Sequence, residues 1–481
     1  MTQDSRAAGP GVVFVAVPGL HTDGHAHAAG AVAAGAVAVV AERPLPELGV
    51  PVIVVPDTRA ALAPLAARLA GDPSRQLVVA GVTGTDGKTT TTTLLHAAWR
   101  GAGITAAALT TVDFRVGDTV EVNSTRQTTL DAPELQGRLA AALAAGCTHV
   151  ALETSSHALV LNRVDAVDFR IAVVLRITSE HLDLHGDRDS YIAAKAGLVE
   201  RVAEHPDGVA ILDGDDDAVL RRLTAIPVAR RLVLTTEGRP GAELAAEDVD
   251  ATAEGVAFTA RTPWGHARVR LPLAGAFNAG NALAAVAAAC AGGATFEGAV
   301  AGVEALPWVR GRMERTVSPD GVVVVIDYAH TADALDRVLA ELRPATRGRL
   351  WVVFGSAGER DRPKRPEMGS VAARRADLIV LTDEDPRGED GNAILEAIAT
   401  GARAAGAGPD RLRLIADRTE AIRSAIRDAA PGDTVLCAGK GHESTLIGPA
   451  GPAPWDERAT VEAALAARQS GRREGTPTRR G

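Results

Sequence analysis

Residues 78–95, VVAGVTGTDGKTTTTTLL, join an apolar strand, a glycine-rich turn and a Lys-Thr-Thr helix start without interruption. Few folds accept such a stretch, because the strand must end where the backbone can turn sharply and a helix must begin at once. Gly81, Gly84 and Gly87 are expected to let the chain turn and to aim N–H groups at phosphate oxygens. Lys88 adds positive charge and Thr89 a hydroxyl for Mg²⁺, with Thr85, Asp86 and Thr90 completing the cradle. The common G-x4-G-K-[ST] pattern is displaced by one place, since it would need glycine at Val82. The stretch implies a bound nucleoside triphosphate without naming a reaction. Its plainer reading is a glycine turn before an ordinary helix.

Around this segment, Val/Ala runs alternate with Ala-rich amphipathic stretches, which predicts α/β layers. At 481 residues the chain is too long for one ordinary core, and length suggests about three domains. The strands GVVFVAVPG and PVIVVPD surround an Ala-rich helix, and a helical run over 58–70 leads to the break at Pro73 and Ser74. A small α/β domain is therefore expected over 1–73. A central domain over 74–306 should hold a mostly parallel sheet, with strands such as THVALET and FRIAVVLRI between helices. Over 307–468, five strand candidates from GVVVVIDYAH to DTVLCAGKG predict a second open sheet, with ligand loops at the carboxyl ends of its strands. The basic, Gly/Pro-containing end, 469–481, reads as a disordered tail.

A net charge of -9 and a pI near 5.8 argue against a general nucleic-acid surface. Cys147, Cys290 and Cys437 lie far apart in apolar contexts, as reduced core residues of a cytoplasmic protein would. The Ala/Gly stretch over 28–41 is too short and too weakly apolar to span a bilayer, so no membrane insertion is expected.

Several polar clusters follow apolar strands. ETSSH at 153–157 and SEHLDLHG at 179–186 place carboxylate and imidazole where an Mg²⁺ site beside the cradle could be completed. A Ser-His hydrolase is the rival reading, although no G-x-S-x-G elbow is present. DYAHTAD at 327–333 and FGSAGERDRPKRPEM at 354–368 look like ligand-facing loops, and Arg360, Arg362, Lys364 and Arg365 suit an anion. EDPR at 384–387 and GKGHE at 439–443 add charges of both signs, fit for an amino acid.

With TGTDGKTT, ETSSHALVLNRVD, HLDLHG, GAFNAGNA, GRMER, DYAHTADAL, FGSAGERDRPKRPEMG, EDPRGED and GKGHE in this order, the chain resembles the Mur ligase family, and most closely its tripeptide synthetases. Matching segments run from DSR at Asp4 to WDER at Arg458. The resemblance implies a uridine-nucleotide domain, a central P-loop ATPase-like domain and a Rossmann-like amino-acid-binding domain. It implies ATP and Mg²⁺ as cofactors, and UDP-MurNAc-L-Ala-D-Glu and a diamino acid as partners. A monomer is expected. ATP would phosphorylate the D-glutamate carboxylate, and the incoming amine would attack the acyl phosphate. Carried over residue by residue, Thr89, Glu153, His181 and Lys195 would hold metal, with Lys195 carbamoylated by CO₂. Asn278 would face adenine, Arg312 and Asp327 would contact the nucleotide, and His330 would lie near the phosphates. Ser5, Thr128, Thr129, Ser155 and Arg163 match sugar-nucleotide positions, while Leu161 stands where glutamine is common and Gln127 where asparagine is. His21 and Thr22 fall in a variable uracil loop.

Relatives that add meso-diaminopimelate carry D-N-P-R where this chain has Glu384, Asp385, Pro386 and Arg387. Arg360, Arg387, Gly439 and Glu443 keep a carboxylate clamp and an ammonium partner, which favours diaminopimelate. Asp385 in place of asparagine removes amide donors and adds negative charge, which favours the bare ammonium of lysine or ornithine. Other ligases of the superfamily, such as folylpolyglutamate synthases, and a nucleotide-binding homologue without catalysis are the alternatives.

Overall fold

A computed structural model of the chain describes residues 1–19, 22–125, 127–178, 180, 182–252, 254–359 and 361–474. Two predicted site residues, His181 and Arg360, lie outside the described residues, as does His21. The chain divides into two compact units, one of Met1–Glu247, Ala260–Ala267 and Gly280–Val303, the other of Asp248–Thr259, Arg268–Ala279 and Glu304–Gly481.

The first unit opens with a three-stranded parallel sheet of Val13–Val15, Ala38–Ala41 and Val52–Val54. Its middle strand lies inside the stretch expected to be one Ala-rich helix. The helix is only Ala28–Ala33, and the chain then extends where β-branched Val39 and Val40 fit a pleated, buried surface. Thr58–Leu69 forms the expected helix, its N-terminus capped by the Asp57 carboxylate, which accepts from the Ala60 N–H.

The large sheet of this unit runs, over eight neighbouring strands, Arg230–Thr235, Val209–Asp213, Phe169–Val174, Val78–Thr83, His149–Glu153, Ala106–Leu109, Asp113–Val116 and Thr119–Val122. Its centre is parallel, as expected, but the last two strands return antiparallel through tight turns, which makes the sheet mixed. The central strands read as unbroken apolar runs because helices cover both faces. Gly81 is not part of the turn. It pairs with Leu152 and Ala172 inside the sheet, and a Cβ there would fall 2.7 Å from Leu198 Cδ1 and 2.8 Å from Phe169 Cε1. Its missing side chain is therefore a packing requirement.

In the second unit a sheet of six strands runs Glu314–Val317, Val323–Asp327, Thr434–Ala438, Leu350–Phe354, Leu378–Leu381 and Leu412–Leu414. Five are the expected parallel strands, and the sixth, Glu314–Val317, which begins at the end of GRMER, pairs antiparallel at the edge. The buried Arg418 guanidinium forks onto Glu457 at 2.9 and 2.6 Å and donates to the Ala438 carbonyl, tying a strand end to the last helix. That helix is Glu457–Glu474, so the segment expected to be a disordered tail begins as helix. Arg468 anchors it by donating to Asp320 and to the Ile426 carbonyl.

Candidate active site

The strand Val78–Thr83 ends at the phosphate turn, and the helix Lys88–Gly101 begins at its last residue. Gly84 and Gly87 take φ of 153° and 81°, values closed to most side chains. At Gly87 a Cβ would also meet Asn281 Oδ1 at 2.4 Å. Lys88 Nζ donates to the Gly84 and Thr85 carbonyls at 3.1 and 2.8 Å, so the ammonium is held over the turn. Asp86 is exposed at the tip.

Strand register brings the next residues to this turn. Glu153, last in its strand, lies opposite Val82. Its Oε1 accepts from the Thr89 hydroxyl at 3.0 Å and its Oε2 from the Thr111 N–H at 2.9 Å, and both Glu153 and Thr89 are buried. A hydroxyl and a carboxylate oxygen side by side are the hard donors that Mg²⁺ takes. Among the described residues no three His, Cys, Asp or Glu side chains converge as a metal cluster.

Lys195 projects from the helix Arg188–Ala203, fully buried, and donates to the Gly84 carbonyl at 2.7 Å. Its Nζ lies 4.5 Å from the centre of the Tyr191 ring. Burial, and then the charge of Lys88, hold its pKa well below the ordinary lysine value. Tyr191 Oη in turn lies 3.4 Å from both Thr85 Oγ1 and Glu180 Oε2. Tyr191 escaped the sequence reading, and only its spacing one helical turn before Lys195 could have flagged it.

Three of the predicted sugar-nucleotide residues gather beside Glu153. Thr129 Oγ1 donates to the Glu153 carbonyl at 2.8 Å and accepts from the Ser155 N–H at 3.0 Å. Arg163 donates to the Thr129 carbonyl at 3.0 Å and pairs with Asp131 at 3.0 Å. Thr128 is half-buried next to them in the chain. Ser5 belongs to the short 3-10 turn Ser5–Ala7, capped by Asp4, and is not joined to this group by any observed bond among the described residues. Gln127, the substituted position, bonds Asp131 and the Asn123 amide, while Leu161 ends the helix Ser156–Val160.

The remaining predicted nucleotide residues lie in the second unit. Asn278 is buried and its amide donates to the Ala274 carbonyl at 2.7 Å. Asp327, at a strand end, accepts from the Met313 and Ala329 N–H groups, each at 2.8 Å. The Arg312 guanidinium stacks 4.9 Å from the Tyr328 ring centre, and the His330 ring lies 4.6 Å from the same ring.

The loops FGSAGERD, EDPR and GKGHE leave three parallel strands of this sheet on the same side. Gly358 N donates to the Asp385 carbonyl at 2.8 Å, and a Cβ on Gly358 would fall 2.0 Å from the Pro386 carbonyl oxygen, so the first two loops interlock. Arg387 has φ of 56° and its N–H bonds the Ile447 carbonyl at 2.9 Å. The expected anion-binding cluster is partly committed to an internal carboxylate. Arg365 is bidentate to Glu389 at 3.0 and 3.1 Å, and Arg362 lies 3.5 Å from the same carboxylate. These bonds, Arg365 first, hold Glu389 well below the usual carboxylate range, at about 2. Lys364 donates to the His330 carbonyl at 3.0 Å. Lys440, absent from the predicted site, is fully buried and contacts Asp385 and Glu443.

Phosphate turn, buried lysine and paired Thr89 and Glu153 define an α/β protein that holds a nucleotide where strands end. Family profiles agree in chain order: the Mur ligase family catalytic domain matches residues 1–69, the Mur ligase middle domain 82–289, and the Mur ligase glutamate ligase domain 311–441. The UDP-N-acetylmuramyl-tripeptide synthetase of Roseiflexus sp. (strain RS-1) is 46% identical over 477 residues, covering 96% of this chain and 93% of that protein. The UDP-N-acetylmuramoyl-L-alanyl-D-glutamate--2,6-diaminopimelate ligase of Gloeobacter violaceus is 40% identical, covering 98% of this chain and 94% of that one. A solved structure of a ligase with the latter name superposes with a TM-score of 0.66 at 32% identity, covering 97% of this chain and 94% of its own. The chain belongs to the Mur ligase family and is an ATP-dependent ligase of the three-domain Mur fold. Among the described residues no helix is long and apolar enough to cross a membrane.

Proposed function

We propose that the protein adds the third amino acid, a diamino acid, to UDP-MurNAc-L-Ala-D-Glu at the expense of ATP, as a step of peptidoglycan precursor synthesis. The observation that carries this reading is the cradle in which Lys88, the paired Thr89 and Glu153, and the buried Lys195 meet one phosphate turn. Domains over 1–73, 74–306 and 307–468 would hold sugar nucleotide, ATP and amino acid in turn. A D-glutamate carboxylate oxygen attacks the γ-phosphorus and ADP leaves. The amine of the diamino acid then attacks the acyl carbon, its proton is lost and phosphate departs. A free carboxylate resists an amine because it carries no good leaving group, whereas the mixed anhydride does.

Each residue's part follows from its chemistry. Lys88 offsets charge on the transferring phosphoryl group. Thr89 and Glu153 would hold Mg²⁺ with His181, and the ion would neutralise phosphate charge when bound. Thr128, Thr129, Ser155, Arg163 and Ser5 would bind the sugar nucleotide. Asn278, Arg312, Asp327 and His330 would face ATP. Glu384, Arg387 and Glu443, with Arg360, would clamp the amino acid. Buried Arg387 Nε and Glu384 Oε2 have no hydrogen-bond partner among the described residues, one unmet donor and one unmet acceptor. They complement the carboxylate and ammonium of an amino acid.

The test is incubation of the protein with ATP, Mg²⁺, UDP-MurNAc-L-Ala-D-Glu and, separately, meso-diaminopimelate, L-lysine or L-ornithine, with product mass as readout. Tripeptide product from one of the three is expected, with diaminopimelate favoured. No product from any, despite ATP binding, would point to another ligase substrate.

A further inference from the structure

Asp385 stands where D-N-P-R has asparagine, and the sequence reading lets its charge face the acceptor. The fold directs that charge elsewhere. Lys440 follows the strand Thr434–Ala438 between two glycines, and its side chain is wholly removed from water. A buried ammonium is tolerated only where anions meet it. Here Nζ donates to Asp385 Oδ1 at 2.8 Å and to the Glu443 carboxylate. Asp385 Oδ1 also accepts from the Ile447 N–H at 2.8 Å, so this oxygen has two internal donors. Glu443 Oε1 meets the Tyr328 hydroxyl at 3.3 Å. Glu384 is different. It is buried, its Oε2 has no partner among the described residues, and it lies 3.2 Å from where a Cβ on Gly439 would sit.

We propose that Lys440 is the positioning residue of the acceptor clamp: it neutralises Asp385 from inside the protein, so that Asp385 does not select among diamino acids by charge and, of the two EDPR carboxylates, Glu384 is the one left for the acceptor. This rests on the ligase reading above. Lysine and ornithine therefore gain nothing from the aspartate, and its substitution acts on every acceptor alike. The side chain of Asp385 serves as the fixed end of an internal ion pair that holds GKGHE against EDPR.

The experiment measures kcat and KM for meso-diaminopimelate, L-lysine and L-ornithine with the full-length protein and with Asp385→Asn, Lys440→Met and the double variant. Asp385→Asn lowers kcat/KM by about the same factor, roughly 3- to 10-fold, for each acceptor that reacts, leaving their ratios unchanged. Lys440→Met raises the acceptor KM by roughly 30-fold or more, with the ATP KM within about 3-fold, because two carboxylates lose their cation. Asp385→Asn in the Lys440→Met background restores roughly 10-fold of that loss, the coupling expected of a direct pair. A single Asp385→Asn variant whose preference shifts toward diaminopimelate by ~10-fold or more overturns the inference. So does a double variant no better than Lys440→Met. If Lys440→Met does not fold, the single Asp385→Asn variant decides. Absence of product with the unaltered protein overturns the ligase reading instead, and is told apart by that first measurement.

Discussion

At the phosphate turn, the Lys195 amine lies against the Gly84 carbonyl with no access to water. Burial and the neighbouring Lys88 disfavour its ammonium form, so more of it is neutral amine than an exposed lysine would be. A neutral amine can attack CO₂, forming an N–C bond and losing a proton to a base, which gives an anionic carbamate. Composition alone leaves Lys195 an ordinary helix residue, and the low-pKa pocket is visible only once the helix is packed. Lys195→Ala should lower kcat by roughly 100-fold or more, and Lys195→Glu should recover roughly 10-fold of it by returning a negative charge. Turnover by the Ala variant at the full rate would remove the carbamate from the mechanism. A second residue-scale test concerns the metal ligands. Thr89→Ala should weaken ATP turnover by roughly 10- to 100-fold and raise the Mg²⁺ concentration needed for half-maximal rate, whereas an unchanged Mg²⁺ dependence would remove Thr89 from the ion's ligands.

The elements show why spacing can locate a turn and still misassign a glycine. TGTDGKTT predicts strand, turn and helix in the order found, since its strand is apolar throughout and its helix starts at Lys88. Gly81, however, serves the strand, where Leu198 and Phe169 occupy the space a side chain would need. Gly81→Ala should destabilise the first unit by about 1–3 kcal/mol through overpacking, seen as a lower urea midpoint. An unchanged midpoint would mean that these neighbours move aside. The Arg-rich loop after Phe354 gives the converse lesson. Its arginines read as ligand groups, yet Arg365 holds Glu389 and so fixes the EDPR loop from behind. Sequence cannot tell an arginine that binds a ligand from one that positions a loop, because both carry the same charge in the same kind of segment.

Across the whole molecule, buried histidines set an acid limit. His442 is lowered from 6.5 to about 3 and His96 from 6.5 to about 4, in both cases first by burial. The cations Arg312, Arg310 and Lys440 contribute to the shift of His442, as Arg115 and Arg100 do to that of His96. For each the folded pKa is depressed, so its stabilisation is complete above pH 6.5 and is lost as pH falls toward the folded value. Asp213, raised by burial from 3.8 to about 6, works in the opposite direction between those values. Two histidines outweigh one carboxylate, and the net loss between pH 6.5 and 4 should reach a few kcal/mol, on the order of 1.4 for each unit of uncompensated shift. Thermal unfolding across that range should show a falling Tm. His442→Gln should flatten the second unit's share of the slope, and a slope that stays the same would place the acid sensitivity elsewhere.

The order of motifs along the chain, by itself, determined the α/β class, the phosphate turn, the ligase family and the loops that would hold each substrate. These are local properties: alternation of apolar runs, glycine where the backbone turns, and charged residues where strands end. Tertiary structure decided which charges face outward. Asp385, Arg365 and Lys440 are neutralised by residues distant in sequence, and whether a charge meets a ligand or an internal partner depends on packing that no spacing encodes. It also decided the short strand Ala38–Ala41 and the edge strand Glu314–Val317, since both become strands by pairing with neighbours on which the fold places them.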